Sequence, residues 1–484
     1  MEKYYLARKL VKDNPHKLTL VMRPDEDYDK KLQEEENTRL SEISSTLSEE
    51  EKMQLHKRGL ELLEKQMHTE DLSCLPTIHI ADIERDIVRV PTTIHYASSG
   101  VPIYCCAQPT NEITYMNLLA DTSHLPEDLK SYLPLFTDIF TKMGAGIWNY
   151  KELSQLIDLY TGGLGCSIFM SNHHTESNTY EQCIRLSSHS LERNFDKMLD
   201  LWQNVISRPN FSDNDRLKTL IRMIASDMAS SLPNSGHMYA MGQASSTLSP
   251  SAQWKELFSG VTQVNMMKTL AELDNVDEIV AKLEQIAGHV LNFKNVRVSV
   301  NATEEAMEAT VHKLDTFLQP LSQEFSTERV LVNDSKFQPH EKRTHVELPF
   351  TVNYVSMSVP SVQYTHPDSS SCFDSFCREK GGAYGSGALN GDSTFNFFSY
   401  RDPNSLQTLD VFDRAIEWAV SGQFTDEHVN EAKLSCFQQI DKPVPPSSKG
   451  LTYFLHDITD ALRQVKRDRI FATTKEDLVQ VANK

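Results

Sequence analysis

No apolar run in this chain approaches the roughly 20 residues a membrane helix requires, so a spanning segment is not expected. Positive charge is also scarce. The 67 acidic residues outnumber 48 basic ones, giving a formal net charge of -19 that argues against nucleic-acid partners. That imbalance is compatible with cationic peptides as partners, and equally with solubility alone. The opening residues MEKYYLARKLVKDNPHKLTL contain no secretory apolar core. Glu2 and Asp13 fit poorly with an acid-poor transit peptide, so no targeting segment is read there.

Cysteine offers little chemistry. The eight residues Cys74, Cys105, Cys106, Cys166, Cys183, Cys372, Cys377 and Cys436 are scattered and form no C-x-x-C, which suggests reduced thiols. Cys372 and Cys377 have no second pair nearby to complete a zinc site. Asn210, Asn301 and Asn333 open glycosylation patterns that have no meaning without a secretory route. The motif His-x-x-Glu-His is absent. His340 and His345 stand five residues apart just after Pro339, whereas a zinc helix needs its histidines at i and i+4 on one face. His173, His174 and Glu176 read as a solvated polar loop. No metal is therefore assigned to this chain.

With 484 residues, two or three domains are expected. Residues from about 25 to 70 are charged and helical in period, with a turn near Ile43-Ser44-Ser45-Thr46. Ser48 followed by Glu51 is a capping box that opens a second helix, so residues 1–75 form a helical connector. Residues 76–304 change to an α+β pattern. Strands are expected at Val101–Cys106 and Ile113–Met116. A helix opened by Pro126 and acids then places Leu129, Leu133, Phe136, Phe140 and Met143 on one stripe. A second helix, Lys151 to Tyr160, stops at Thr161-Gly162-Gly163 before another strand. Val296, Val298 and Val300 close the unit as a strand.

Residues 305–343 form a linker region, and 344–484 a second α+β unit. A strand pair is expected in Thr344–Val359, a strand in Thr394–Tyr400, and then a helix capped by Asn404 and ended by Gly422. A helix, a Gly-Gly pair and a strand thus occur twice, at 162 and at 381, as two related domains would leave behind. The expected class is α+β: two related units, each an antiparallel sheet covered by helices, preceded by a helical hairpin.

The most informative stretch is Arg378-Glu379-Lys380-Gly381-Gly382-Ala383-Tyr384-Gly385-Ser386-Gly387. Gly381, Gly382 and Gly385 leave no Cβ in the way of a bound peptide, while a guanidinium and a phenol can place two donors near one oxyanion. The plain alternative pairs Arg378 with a local acid and packs Tyr384 in a sheet. Together with Tyr400-Arg-Asp-Pro-Asn404, Glu431-Ala-Lys-Leu and Gln108-Pro-Thr-Asn, the phrase resembles the C-terminal half of the pitrilysin-type (inverzincin) metallopeptidases.

That resemblance implies a substrate-binding, non-zinc half of a zinc metalloendopeptidase. Its substrates would be short unfolded peptides such as mitochondrial targeting peptides, and its place the mitochondrial matrix. It implies that Arg378 and Tyr384 stabilise the tetrahedral intermediate, that Gly381, Gly382 and Gly385 admit the substrate, and that residues 1–75 are the hinge. Zinc and a glutamate base would come from a zinc-bearing N-terminal half, the expected partner, without which no hydrolysis is expected. A non-catalytic binding or scaffold protein of the same fold is the alternative. Three departures from the family stand out, the first being that the zinc-bearing half with its His-x-x-Glu-His is missing. Only ten residues separate Pro367 from Arg378, a helix of about 15 Å at most. The chain also ends at Ala482-Asn483-Lys484 where the family continues to a further strand.

Overall fold

A capping box at Ser48 shapes the first part of the chain. The Ser48 backbone N–H donates to Glu51 Oε2 at 2.8 Å, and the Glu51 N–H donates to Ser48 Oγ at 3.3 Å. Two of the helix's open donors are satisfied in this way. The resulting hairpin comprises α1 (Tyr28–Thr46) and α2 (Glu49–Met67). Its turn falls at Leu47–Ser48 rather than near Ile43–Thr46, because Ser45 and Thr46 hydroxyls donate back to the Glu42 and Ile43 carbonyls and extend the last helical turn.

A computed structural model describes residues 8–23, 25, 27–67, 74–291, 293, 295–321, 329–348, 350–370, 384–391 and 393–484. Arg378, Gly381 and Gly382, with Cys372 and Cys377, lie outside the described residues. The chain forms two units, Met1–Thr77 and Ile78–Lys484. Among the described residues no helix is long and apolar enough to cross a membrane.

The second unit is α+β. It opens with β1 (Thr93–Tyr96), β2 (Pro102–Ala107) and β3 (Ile113–Asp121). The expected single helix after Pro126 is two short ones, α3 (Glu127–Lys130) and α4 (Leu133–Ile139). Pro134 supplies no N–H and its ring opposes the carbonyl four residues back, so the helix cannot run through. Leu129, Leu133, Phe136, Phe140 and Met143 are nonetheless all buried in one core.

Then come α5 (Tyr150–Tyr160), β4 (Leu164–Asn172), β5 (Thr179–Leu191), α6 (Phe195–Ser207) and α7 (Asn214–Ser245). Asn149 caps α5, its side chain accepting from the Lys151 and Glu152 N–H groups. Pro233 lies inside α7, and Ser235 leaves helical geometry at φ -124° and ψ 21°, which kinks the helix. Next are α8 (Pro250–Ser259), α9 (Val261–Ala271), α10 (Asp277–Val290), β6 (Val296–Ala302), α11 (Glu304–Leu318) and the short β7 (Val332–Asn333).

The large sheet has the order β1-β2-β6-β3-β5-β4, with β7 pairing β5. Only the β2–β6 pair is parallel among these ladders. The valines of β6 face the helices, yet the strand sits between β2 and β3 and all seven of its residues are buried. Its other face, with Tyr104 of β2, Leu119 of β3 and, one strand farther on, Cys183 of β5, is covered by the segment around Phe454. Coverage on both faces explains the burial of the alternating polar positions.

A smaller antiparallel sheet contains β8 (Ser356–Pro360), β9 (Gly385–Gly391) and β10 (Thr394–Tyr400), in the order β8-β10-β9. The strand pair expected in Thr344–Val359 is a single strand among the described residues, since those before Ser356 contribute only the isolated bridge Asn353–Asp402. On one face Ala388 and Phe397 pack on Phe412 of α12 (Leu406–Ser421). Helix α12 is preceded by Ser405, which makes no side-chain cap, instead of by Asn404; Gly422 ends it at φ 63°. The Asn404 N–H is taken by Asp402 Oδ1 at 2.8 Å. Helices α13 (Asp426–Ile440), α14 (Leu451–His456), α15 (Asp460–Ala472) and α16 (Lys475–Ala482) complete the unit.

Candidate functional site

The β9–β10 hairpin pairs Gly385 with Tyr400 and Gly387 with Phe398. Tyr384 immediately precedes β9; the residue is 82% exposed, and its N–H points to the Arg401 carbonyl at 3.4 Å. The phenol has no hydrogen-bond partner among the described residues. Its ring stands edge-on to Tyr400 at 6.0 Å. A Cβ at Gly385 would meet nothing closer than 3.9 Å, whereas one at Gly387 would come within 3.0 Å of the Phe398 ring. Gly387 is thus held by sheet packing, and Gly385 leaves open space beside Tyr384.

The α7 kink supports this corner. The His237 ring lies 5.4 Å from Phe398 and edge-on to Tyr400 at 5.1 Å. Tyr354 lies 5.7 Å from Tyr400, and its hydroxyl donates to the Pro233 carbonyl. Gly236 makes this possible, since a Cβ there would fall 2.3 Å from the Tyr354 ring. Burial pushes the His237 imidazole below its ordinary value, so the neutral ring is the form that packs there. None of these contacts is signalled by spacing in the sequence. A proline inside a helical pattern, at Pro233, is the one cue to a kink.

The segment leading toward Arg378 is anchored on two sides. The Thr365 N–H and hydroxyl both donate to the His174 carbonyl, at 3.0 and 2.9 Å. Arg469 donates to the Thr365 carbonyl at 2.7 Å, and Lys466 to the Ser369 carbonyl at 2.7 Å. In the same loop His173 Nδ1 accepts from the Glu176 N–H at 3.1 Å. These side chains and carbonyls are thus engaged in holding backbone. His340 and His345 are both exposed. Among the described residues no group of three or more His, Cys, Asp or Glu side chains could hold a metal ion.

No local pattern in the chain signals its buried charge cluster. Glu181 is 3% exposed; it accepts from Arg297 Nη2 at 2.8 Å and from Arg329 Nη1 at 3.4 Å. Arg297 Nε donates to the Phe454 carbonyl at 3.1 Å. Arg329 donates to the carbonyls of Tyr453, Phe454 and Leu455 at 2.8–3.0 Å. Two guanidiniums thereby cap the C-terminal end of α14 and tie it to the large sheet.

The family model for the region associated with M16 peptidases of subfamily C matches residues 22–270, just over half of the 484. The chain belongs to this family. A second model, the PreP C-terminal domain, matches residues 344–484 of this peptidase-associated chain. A relative from Xenopus laevis named "Presequence protease, mitochondrial" is 40% identical over 97% of the chain and 50% of its own length. The Mus musculus protein of the same name is 37% identical over 98% of the chain and 50% of its length. The chain thus spans about half the length of the curated relatives it matches. Its fold is also that of a protease from Helicobacter pylori, with TM-score 0.56 and 12% identity over 82% of this chain and 96% of that one. A peptidase M16 inactive domain from Pseudomonas fluorescens gives TM-score 0.54 and 13% identity over 81% and 94%. These matches correspond to a C-terminal half of an M16 peptidase.

Proposed function

We propose that this chain is the peptide-gripping, non-zinc half of a zinc metalloendopeptidase that degrades short unfolded peptides, cleaved targeting peptides among them, in the mitochondrial matrix. Residues 1–75 act as the hinge, 76–304 and 344–484 as the two related domains, and 305–343 as the link between them. Arg378 and Tyr384 donate hydrogen bonds to the scissile carbonyl and stabilise the charge developing on its oxygen. Gly381, Gly382 and Gly385 admit the peptide backbone. Zinc is assigned to the partner half.

One observation carries the reading: an exposed phenol, without a hydrogen-bond partner among the described residues, begins an edge strand. Strand β9 has β10 on one side and no strand on the other among the described residues. Its free main-chain groups suit an extended peptide added as a further strand, which binds with little demand on side-chain identity.

The test is reconstitution with a separately expressed zinc-bearing half of a relative. Cleavage of an unfolded peptide is expected for the mixture and for neither part alone. Arg378→Ala and Tyr384→Phe should each lower kcat by roughly a hundredfold or more with melting unchanged, as loss of one oxyanion donor does. Unchanged kcat in both variants contradicts the reading and favours a scaffold.

A further inference from the structure

The face of the large sheet turned away from the helices is only partly covered. Around Phe454 the chain lies on Tyr104, Leu119 and Cys183, and the Asn301 amide donates to the Pro446 and Lys449 carbonyls. Beside this strap the same face continues through β3, β5 and β4. Register places Ser167 opposite Arg185, Gly165 and Asn117 on either side of Ser187, and Tyr115 opposite His189.

Arg185 is the unusual member of this array. It is half-buried, and its Nε and Nη2 both donate to Asn117 Oδ1, at 3.0 and 2.7 Å. No carboxylate lies within ion-pair distance among the described residues, in a chain carrying 67 acids. Four other arginines drawn into the structure do have one: Arg297 and Arg329 share Glu181, Arg463 has Asp460, and Arg467 has Asp441, while Arg216 and Arg469 donate to backbone carbonyls instead. Partial burial of a guanidinium against a neutral amide carries a desolvation cost without an ionic return. Burial accordingly pushes its pKa down, with no acid opposing the shift.

The geometry of the fork is specific. The Nε edge is fixed on the Asn117 oxygen, which sets the guanidinium plane and leaves the Nη1–Nη2 edge for two parallel bonds to a carboxylate. Asn117 itself is 5% exposed, so the support is held in the sheet. Farther along β5, His189 is stacked on Tyr115 at 5.4 Å and sits over the bare backbone of Gly162. Four residue steps along the strand, about 14 Å, take Arg185 to His189, so an extended peptide can meet both.

We infer that Arg185, oriented by Asn117, is a carboxylate-binding subsite for peptides, taking a C-terminal carboxylate or an acidic side chain. This rests on the peptide-gripping reading above. The test is fluorescence anisotropy of the full chain with three versions of one short unfolded peptide: an acid-free sequence with a free C-terminus, its C-terminal amide, and the amide with one internal glutamate. The free acid is expected to bind roughly tenfold or more tightly than the amide. A gain for the glutamate peptide assigns the side chain as a source as well. Arg185→Gln should abolish the difference, and Arg185→Lys should keep part of it. Asn117→Asp places a carboxylate under the guanidinium and should remove the preference without loss of melting temperature, which guards against misfolding of Arg185→Gln. If all three peptides bind equally to the unsubstituted chain, the subsite is overturned and the peptide-gripping reading stands. If none binds, both fall.

Discussion

The ring of Tyr354 occupies the space where Gly236 would carry a side chain, an ideal Cβ there lying only 2.3 Å from the ring. In an exposed helix alanine is favoured over glycine by about 1 kcal/mol. Here the sign reverses, because Tyr354 is also hydrogen-bonded to the Pro233 carbonyl and cannot retreat freely. Gly236→Ala should destabilise the chain by about 1–3 kcal/mol, as overpacking does. Urea denaturation checks this, and Tyr354→Phe should cost about 1 kcal/mol for the lost hydroxyl bond.

Glu181 balances two guanidiniums beneath α14. Glu181→Gln leaves Arg297 buried without a counter-charge and Arg329 with only the more distant Asp457, at 3.8 Å, at a cost of about 3–5 kcal/mol. The expected result is a clear fall in the urea midpoint, together with earlier amide exchange across Leu451–His456. An unchanged midpoint would mean that the carboxylate is not what ties α14 to the sheet.

Burial pushes the imidazoles of His174 and His237 below their ordinary value, His173 adding to the effect at His174. In each case the folded chain binds fewer protons than the unfolded one. Stability is therefore complete above the unfolded histidine value of about 6.5 and is lost as pH falls through the lower folded values. Melting temperature should drop between about pH 7 and pH 5. His237→Phe, which keeps an aromatic ring against Phe398 and Tyr400, should flatten part of that drop; an identical profile would exclude His237 as a source.

Much of this architecture is legible from local chemistry. Thr394–Tyr400 is rich in aromatic residues and is a strand over those residues, Asn149 caps α5 and Thr161 ends it, Ser48 and Glu51 form their box, and Gly422 takes the left-handed turn after α12. Each depends on a few neighbouring residues. The misreadings lie where distant parts of the chain decide. Thr344–Tyr354 alternates in sequence but finds only one bridge partner among the described residues, at Asp402. Glu181 and Arg297 carry no local pattern that marks them as buried; both lie on strands whose outer face is covered by the segment around Phe454. Of the candidate site, Tyr384 and Gly385 are placed at the mouth of an edge strand, while the supporting His237, Tyr354 and Tyr400 come from elements that no local pattern brings together.

Amide hydrogen exchange of Gly385–Gly391, with and without a saturating short unfolded peptide, tests most directly whether this chain grips extended polypeptide along β9. Protection of alternate amides in that strand, together with Tyr384, is the predicted result. Exchange unchanged along β9 while the peptide is demonstrably bound elsewhere on the chain would contradict it.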